Sequence, residues 1–256
     1  MIGAFMDEDS FKKKALELRQ KTFSAFIEHG ESHLGGSFSI IEILIALFNG
    51  VLNNVNDKFI LSKSHASYPY CILMRERGFN VPIKTHLERD ESSGIYATTG
   101  SLGHGLPIST GIAFAMKVKK IDGRVYVLMS DGECQEGTTW ESLLIASAKC
   151  LDNLVVIIDS NKLQAIDFVE NILPLGSLVE KFKAFGWDCE DVDGHESITN
   201  LVRVLSKPNT VNRPKAVIVN TTKGKGIPEF ENKPEWHAKK IKGENVLIGK
   251  KALGIL

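Results

Sequence analysis

Phe11, Ala15, Leu18, Phe26 and Ile27 recur at near-helical spacing, which predicts an amphipathic helix capped by Ser10 and stopped by Gly30. Ser39 to Phe48 is apolar on nearly every side, the mark of a helix sunk in the core. Phe59 to Ser62 reads as a short strand, and Tyr68 to Arg77 as a helix stopped by Gly78. From residue 105 the pattern alternates regularly: a small-residue helix to Lys120, strand Val125–Met129, helix Thr138–Lys149, strand Leu154–Asp159. Helix Leu178–Phe185, strand Trp187–Val192, helix Ile198–Leu205 and strand Ala216–Asn220 continue the series. Such alternation predicts an α/β fold, a parallel sheet flanked by helices on both faces. No repeat, low-complexity block or linker interrupts residues 1–256, so a single domain is expected, with Lys84–Gly105 and Thr221–Lys240 as functional loops.

Charge narrows the range of partners. The 31 Lys and Arg balance the 31 Asp and Glu, so no overall field draws the chain to nucleic acid or an anionic membrane. A small neutral or anionic substrate fits better. The longest apolar run, Ile40–Phe48, is interrupted by Glu42 and falls short of the roughly 20 residues that a membrane span requires. Met1–Ser10 is acidic and lacks the basic-then-apolar order of a signal peptide, which points to a cytoplasmic protein. Cys71, Cys134, Cys150 and Cys189 are widely spaced, so reduced thiols are expected rather than a zinc site or a disulfide framework. Cys134 has no evident activating base.

Candidate chemistry gathers at two strand ends. Val125–Met129 runs into Ser130-Asp131-Gly132-Glu133, and the next strand ends in Asp159-Ser160-Asn161. Parallel strands joined by a right-handed crossover point the same way, so Asp131 and Asn161 can converge at the carboxyl edge, where open α/β sheets bind ligands. A carboxylate plus an amide oxygen suits a hard cation that keeps water and phosphate oxygens as further ligands. Magnesium holding a diphosphate is the natural inference. Gly132 would admit the diphosphate to the backbone, and the following helix would turn its positive end toward it. A plainer reading of the same residues is an Asp cap and an Asn in an adjoining turn, which any α/β protein can supply.

The company these residues keep favours the first reading. Asp-Gly, the spacing of 30 positions from Asp131 to Asn161 and the apolar strand before Asn161 match the thiamine diphosphate motif. The chain resembles the N-terminal, diphosphate-binding domain of transketolases over nearly its whole length. Ser32-His33-Leu34-Gly35-Gly36-Ser37 is similar to the family's Gly-His-Pro-Gly-Gly element, and Leu61-Ser62-Lys63-Ser64-His65-Ala66 to its Ser-Lys-Gly-His-Ala element. Thr99-Gly100-Ser101-Leu102-Gly103-His104-Gly105, Asp131–Gly137 and Lys223-Gly224-Lys225-Gly226 followed by Trp236-His237 match three more, in order.

The resemblance implies transfer of a two-carbon ketol unit from a ketose to an aldose, dependent on thiamine diphosphate and magnesium, with calcium able to replace magnesium. It implies Asp131, Asn161 and the Leu163 carbonyl as metal ligands, and His65, Gly100, Leu102, Asp131, Gly132, Glu133, Asn161 and His237 as cofactor contacts. His33, His65, His86 and His237 become the polar lining around diphosphate and sugar hydroxyls, since imidazole donates and accepts near neutrality. Glu136 becomes part of a carboxylate network at a subunit interface. His29 and His195 take no role. Ser64 and Ser130 stand where the family has glycine, Leu34 and Leu87 where it has proline, and His104 where it has glutamine. The two serines are expected to crowd the diphosphate slightly and to hydrogen-bond it, and His104 to alter substrate preference.

The pyrimidine-binding and C-terminal domains of the family lie beyond this sequence, so a C-terminal transketolase subunit is expected to carry them in an α2β2 assembly. The substrates would be sugars or sugar phosphates. Decarboxylation of a 2-keto acid with acyl transfer would use Asp131 and Asn161 equally but explains the four histidines less well. A non-catalytic homologous subunit would have no chemical need for either set.

Overall fold

The computed structural model describes residues 6–256; the opening Met1–Phe5 of the acidic start lies outside the described residues. Five strands, β1 (Lys58–Leu61), β2 (Val125–Ser130), β3 (Leu154–Ser160), β4 (Asp188–Asp193) and β5 (Lys215–Asn220), form one sheet in the order β1-β2-β3-β5-β4. Every neighbouring pair is parallel, so all five carboxyl ends share one edge.

Period-two alternation divides the core. Tyr126, Leu128, Val155, Ile157, Val217 and Val219 face one apolar layer, and Val127, Met129, Val156, Ile158, Ala216 and Ile218 face the other. The first layer is covered by helices α1 (Glu8–His29), α2 (Leu34–Phe38), α3 (Ile41–Ala46), α4 (Tyr68–Glu76), α9 (Ile198–Ser206) and α10 (Glu244–Ala252). The second is covered by α5 (Gly105–Val118), α6 (Gly137–Ala148) and α8 (Leu178–Ala184), with the single turn α7 (Val169–Ile172) at its margin. The expected α/β architecture, with a parallel sheet covered on both faces, is what the chain forms.

Several boundaries differ from the sequence pattern, each for a local reason. α1 is capped by Asp7, not Ser10: the Ser10 N–H donates to Asp7 Oδ1 at 2.9 Å, and Glu8 and Asp9 suit the positive helix start. The buried run expected at Ser39–Phe48 belongs to a longer winding segment, Leu34–Val51, that breaks near Ile40 and ends in a π-helical turn, Leu47–Val51. At the break, Ser39 Oγ donates to Asp159 Oδ2 at 2.7 Å, with the Gly36 carbonyl an alternative acceptor at 3.1 Å, taking up polar capacity that a continuous helix would leave buried. Leu34–Val51 has the length and apolarity of a membrane span, yet it is 89% buried within the protein as a core element. All four cysteines are free thiols, and burial, with Asp131 and Glu133 nearby, holds the Cys134 thiol well above its ordinary value.

One buried ion pair ties α1 to α3. Arg19 Nη2 donates to Glu42 Oε1 at 2.7 Å, with both residues buried. Burial pushes the Glu42 carboxyl up, but Arg19 and His195 outweigh it and leave it at about 2. A folded value below the ordinary 4.5 means stabilisation that is complete above pH 4.5 and lost as pH falls toward 2. Replacing Glu42 by glutamine should therefore cost about 3 kcal/mol at pH 7, by the usual penalty for breaking a buried pair. Denaturation midpoints of the two chains should converge as the solution is acidified through that window.

Candidate active site

The polar residues of the carboxyl edge come from four strand ends. β1 leads into Ser62-Lys63 and the 3-10 turn Ser64–Ala66, and β2 into the 3-10 turn Asp131–Gln135. β3 leads into Asn161, and β5 into the loop carrying Lys223. The expected convergence is present: Asp131 Oδ2 accepts the Lys162 N–H at 2.6 Å, next in sequence to Asn161. Lys162 adopts a left-handed backbone with φ 62°, which turns its N–H toward that carboxylate. The segment after Asp131 is the 3-10 turn, and α6 starts only at Gly137, so the expected helix end does not follow Asp131 directly.

Asp131, Asn161 and Leu163 form an oxygen-rich corner. Each Asp131 oxygen takes one backbone N–H, Oδ1 from Gly132 at 2.8 Å and Oδ2 from Lys162, which leaves acceptor capacity on a buried carboxylate. Burial, then the charge of Asp159, raises its carboxyl to about 6. Asn161 Nδ2 donates to Asp159 Oδ2 at 2.9 Å, which fixes the amide so that Oδ1 is its acceptor end; Oδ1 takes the Leu163 N–H at 3.1 Å and keeps one lone pair. The Leu163 carbonyl accepts the Lys223 ammonium at 2.9 Å, so it already faces a cation. Among the described residues no group of three or more His, Cys, Asp or Glu could hold a metal. A cation here would need the mixed set of carboxylate, amide and carbonyl oxygens, completed by phosphate or water, which is magnesium chemistry. The donor set fits that ion.

Four histidines gather beside this corner, linked to it through Lys223. His33 lies 5.4 Å from His65, 6.3 Å from His86 and 5.1 Å from His237, ring centre to ring centre, and His65 lies 5.3 Å from His237. His33 and His86 both have left-handed backbones, so with Lys162 the site holds three of the seven described non-glycine residues of that kind. Burial is the main cause that lowers His33, His65 and His237, with His86 acting next on His33, Lys63 on His65 and Lys223 on His237, which falls to about 3. These rings stay neutral at pH 7 and can each both donate and accept. Lys223 Nζ meets His237 Nδ1 at 3.1 Å; an ammonium only donates, so Nδ1 accepts and Nε2 keeps the proton. Trp236 stacks on Phe230 at 3.7 Å and seats the turn Pro234–His237.

Three residues without a sequence-assigned role hold the site together. Lys63 and Asp159 form a fully buried ion pair, and Asp159 also accepts from Ser39, Thr221 and Asn161. Burial pushes the Asp159 carboxyl up, but Lys63 outweighs it and holds it below the usual range. Lys223 reaches the Leu163 and Gln164 carbonyls, both at 2.9 Å, and burial with Lys63 lowers it to about 8. Their signal in the sequence is a lysine inside each of two Gly- or Ser-rich motifs and an acid ending an otherwise apolar strand.

Other expected residues play different parts. The Glu133 side chain is fully buried and spent on the protein: it takes N–H groups of Ser130 at 2.8 Å and Gly103 at 3.0 Å and the Ser62 hydroxyl. It thus ties the Gly103 loop to β1 and β2 instead of offering its carboxylate to a cofactor. The hydroxyls expected to face a diphosphate also turn inward: Ser64 Oγ accepts the Leu87 N–H at 2.9 Å, and Ser130 Oγ meets Glu133 Oε2 at 3.4 Å. Gly132 lies beside the Gln164 side chain, where a Cβ would sit 3.3 Å from Cγ. Leu102 and Glu136 are exposed, Glu136 lying against Gly103. Gly100 packs on His86: with φ 137°, a Cβ there would stand 2.4 Å from the ring. Gly100→Ala should therefore displace His86 and cost more than about 1 kcal/mol, read as a lowered melting temperature and a shifted His86 ring resonance.

Known proteins resemble the chain over nearly its whole length. The family "Transketolase, thiamine diphosphate binding domain" matches residues 12–256. A subunit of apulose-4-phosphate transketolase from Actinobacillus succinogenes is 36% identical over 93% of this chain and 94% of its own length. A 6-deoxy-6-sulfo-D-fructose transketolase subunit from a Clostridium species is 30% identical over 89% of this chain and 90% of its own length. Human transketolase is 33% identical over 91% of this chain, which spans only 40% of that protein. The crystal structure of Campylobacter jejuni transketolase superposes with a TM-score of 0.85 at 22% identity, covering 97% of this chain and 43% of that one, a likeness of fold.

The family match and the fold together define a protein of the thiamine diphosphate binding class. Within that class the chain belongs to the transketolase family, and it matches the subunit-sized relatives along nearly their whole length.

Proposed function

We propose that this chain is the N-terminal subunit of a split transketolase, transferring a two-carbon ketol unit between sugar or sugar-phosphate substrates. The observation that carries this reading is the gathering of four histidines at the sheet edge, with the Lys223 ammonium touching both His237 and the Leu163 carbonyl. In this reading residues 1–256 are a single diphosphate-binding domain. Asp131, Asn161 and the Leu163 carbonyl hold Mg2+, or Ca2+ in its place, and through it the diphosphate. Gly100, Leu102 and the backbone at Gly132 and Glu133 line the cofactor.

Thiamine diphosphate, when bound, supplies the electron sink for breaking and making a carbon–carbon bond beside a carbonyl. The chain's own part is orientation and proton handling. His33, His65, His86 and His237 hydrogen-bond sugar hydroxyls, and an imidazole can pass a proton from one hydroxyl to another. The buried Lys63–Asp159 pair anchors the Asn161 amide, and the Trp236 stack on Phe230 seats the turn that carries His237.

The remainder of the active site would come from a C-terminal subunit with a pyrimidine-binding domain, in an α2β2 assembly in the cytoplasm. Two findings support a partner: relatives named as transketolase subunits match nearly end to end, and apolar side chains stand in solvent on segments that contact Gln135 and Glu136. These are Leu102, Ile166, Phe168 and Leu173, with Leu144 and Ile145 farther along α6. Glu136 would then join a carboxylate network across that interface. The test is reconstitution: the partner recovered from native extract should restore ketol transfer from a ketose phosphate to an aldose. Release of carbon dioxide from pyruvate without ketol transfer would replace this reading with decarboxylation.

A further inference from the structure

His195, in the connection from β4 to α9, lies outside the four-histidine cluster, yet it is joined to the site through the backbone. Its Nε2 accepts the Thr222 N–H at 2.8 Å. A ring nitrogen that accepts carries no proton, so Nδ1 carries it. Nδ1 faces Glu42 Oε2 across 3.5 Å, and neither of these two buried atoms has a hydrogen-bond partner among the described residues, so each is the nearest complement of the other. The other Glu42 oxygen is held by Arg19. Arg19 also underlies the far end of the same loop: at Gly226, φ 100°, a Cβ would stand 2.6 Å from Arg19 Cδ. A buried relay thus runs from α1 through α3 to His195 and ends on one amide of the Lys223 loop.

That amide belongs to a turn fixed from two sides. Thr221 Oγ1 donates to Asp159, and Thr222 N–H donates to His195. Lys223 follows at once, with its ammonium on the Leu163 and Gln164 carbonyls and on His237. A shift of the Thr222 peptide would move the lysine relative to the oxygen corner.

We infer that His195 is a positioning residue: its Nε2 fixes the Thr222 peptide and thereby sets where Lys223 stands in the diphosphate pocket, while Glu42 selects the tautomer able to do so. The claim that this pocket takes a diphosphate rests on the function proposed above. Simple filling of space by the ring is the competing role, and two near-isosteric variants separate them. Glutamine at 195 can place an oxygen acceptor near the Nε2 position, whereas asparagine reaches only the Nδ1 position.

The full chain, as wild type, His195→Gln and His195→Asn, would be compared by amide hydrogen exchange at Thr222 and by titration with thiamine diphosphate and Mg2+. His195→Asn should speed Thr222 exchange and weaken cofactor binding, each by about tenfold, the usual effect of leaving a partly buried N–H unpaired. His195→Gln should stay within about threefold of wild type in both, since the acceptor is restored. Equal losses in the two variants, or an unchanged Thr222 amide in His195→Asn, would overturn the inference. Wild-type chain that takes up no cofactor even with the recovered partner subunit present would instead count against the proposed function, and Thr222 exchange alone would then decide the role of His195.

Discussion

Asp131→Ala should lower the affinity for thiamine diphosphate in the presence of Mg2+ by about 2–5 kcal/mol, a factor of roughly 30 to several thousand. The loss follows from the corner's chemistry. Asp131 is its only carboxylate with acceptor capacity to spare, because Asp159 is consumed by Lys63, Ser39, Thr221 and Asn161. Adding Asn161→Ala should do little more, since two ligands of one ion act as a unit. The same site predicts a pH dependence. Burial and Asp159 raise the Asp131 carboxyl to about 6, so protons compete with the cation below that pH and cofactor uptake should weaken by up to about tenfold per unit. An acid raised in the folded state burdens the cation-free chain above its own value, and a bound cation relieves that burden. Calorimetric titrations of wild type and variant between pH 5 and 8, about the range bracketing that value, would check both.

Lys63→Met is expected to be the most destabilising change at the site. It leaves Asp159 buried without its counter-charge, which costs about 3–5 kcal/mol, or on the order of 10 °C in melting temperature for a chain of this size. Adding Asp159→Asn should recover part of the loss, because the Ser39 and Thr221 hydroxyls can rotate to accept from the new amide. A double variant no more stable than Lys63→Met would mean that packing, not charge, is what Lys63 supplies. Thermal melts of the three chains give the answer directly.

The sheet is legible in the sequence because its strands are short, apolar and spaced by helices with a visible face. Val125–Met129 and Leu154–Asp159 fall within a residue of β2 and β3. α10 leaves no such mark: Glu244–Ala252 has no clear apolar face, and it docks by setting Gly249 against the Phe23 ring and lending the Leu253 carbonyl to Gln20. Contacts of that kind have no periodic trace. The start of α1 is ambiguous for a different reason, since Asp7 and Ser10 are both good caps and only the fold selects between them.

At the site, strand direction alone brings Asp131 and Asn161 together, and motif position gathers the histidines. The pairing of Lys63 with Asp159 is invisible in the same way of reading, since 96 positions separate two residues that burial joins. So is the inward turn of Ser64 and Ser130, which depends on where the Leu87 and Glu133 backbones pass. His195 carries no sequence signal for a similar reason. Its partner is a backbone N–H, which no residue type reveals.

Asp131, Asn161 and the Leu163 carbonyl gripping one divalent ion is the central claim. Crystals grown with thiamine diphosphate and Mn2+ in place of Mg2+ would locate that ion by its anomalous signal. The expected map has a single peak about 2.1–2.2 Å from all three oxygens, with the diphosphate completing its shell. A peak elsewhere, or a diphosphate bound away from this corner, would contradict it.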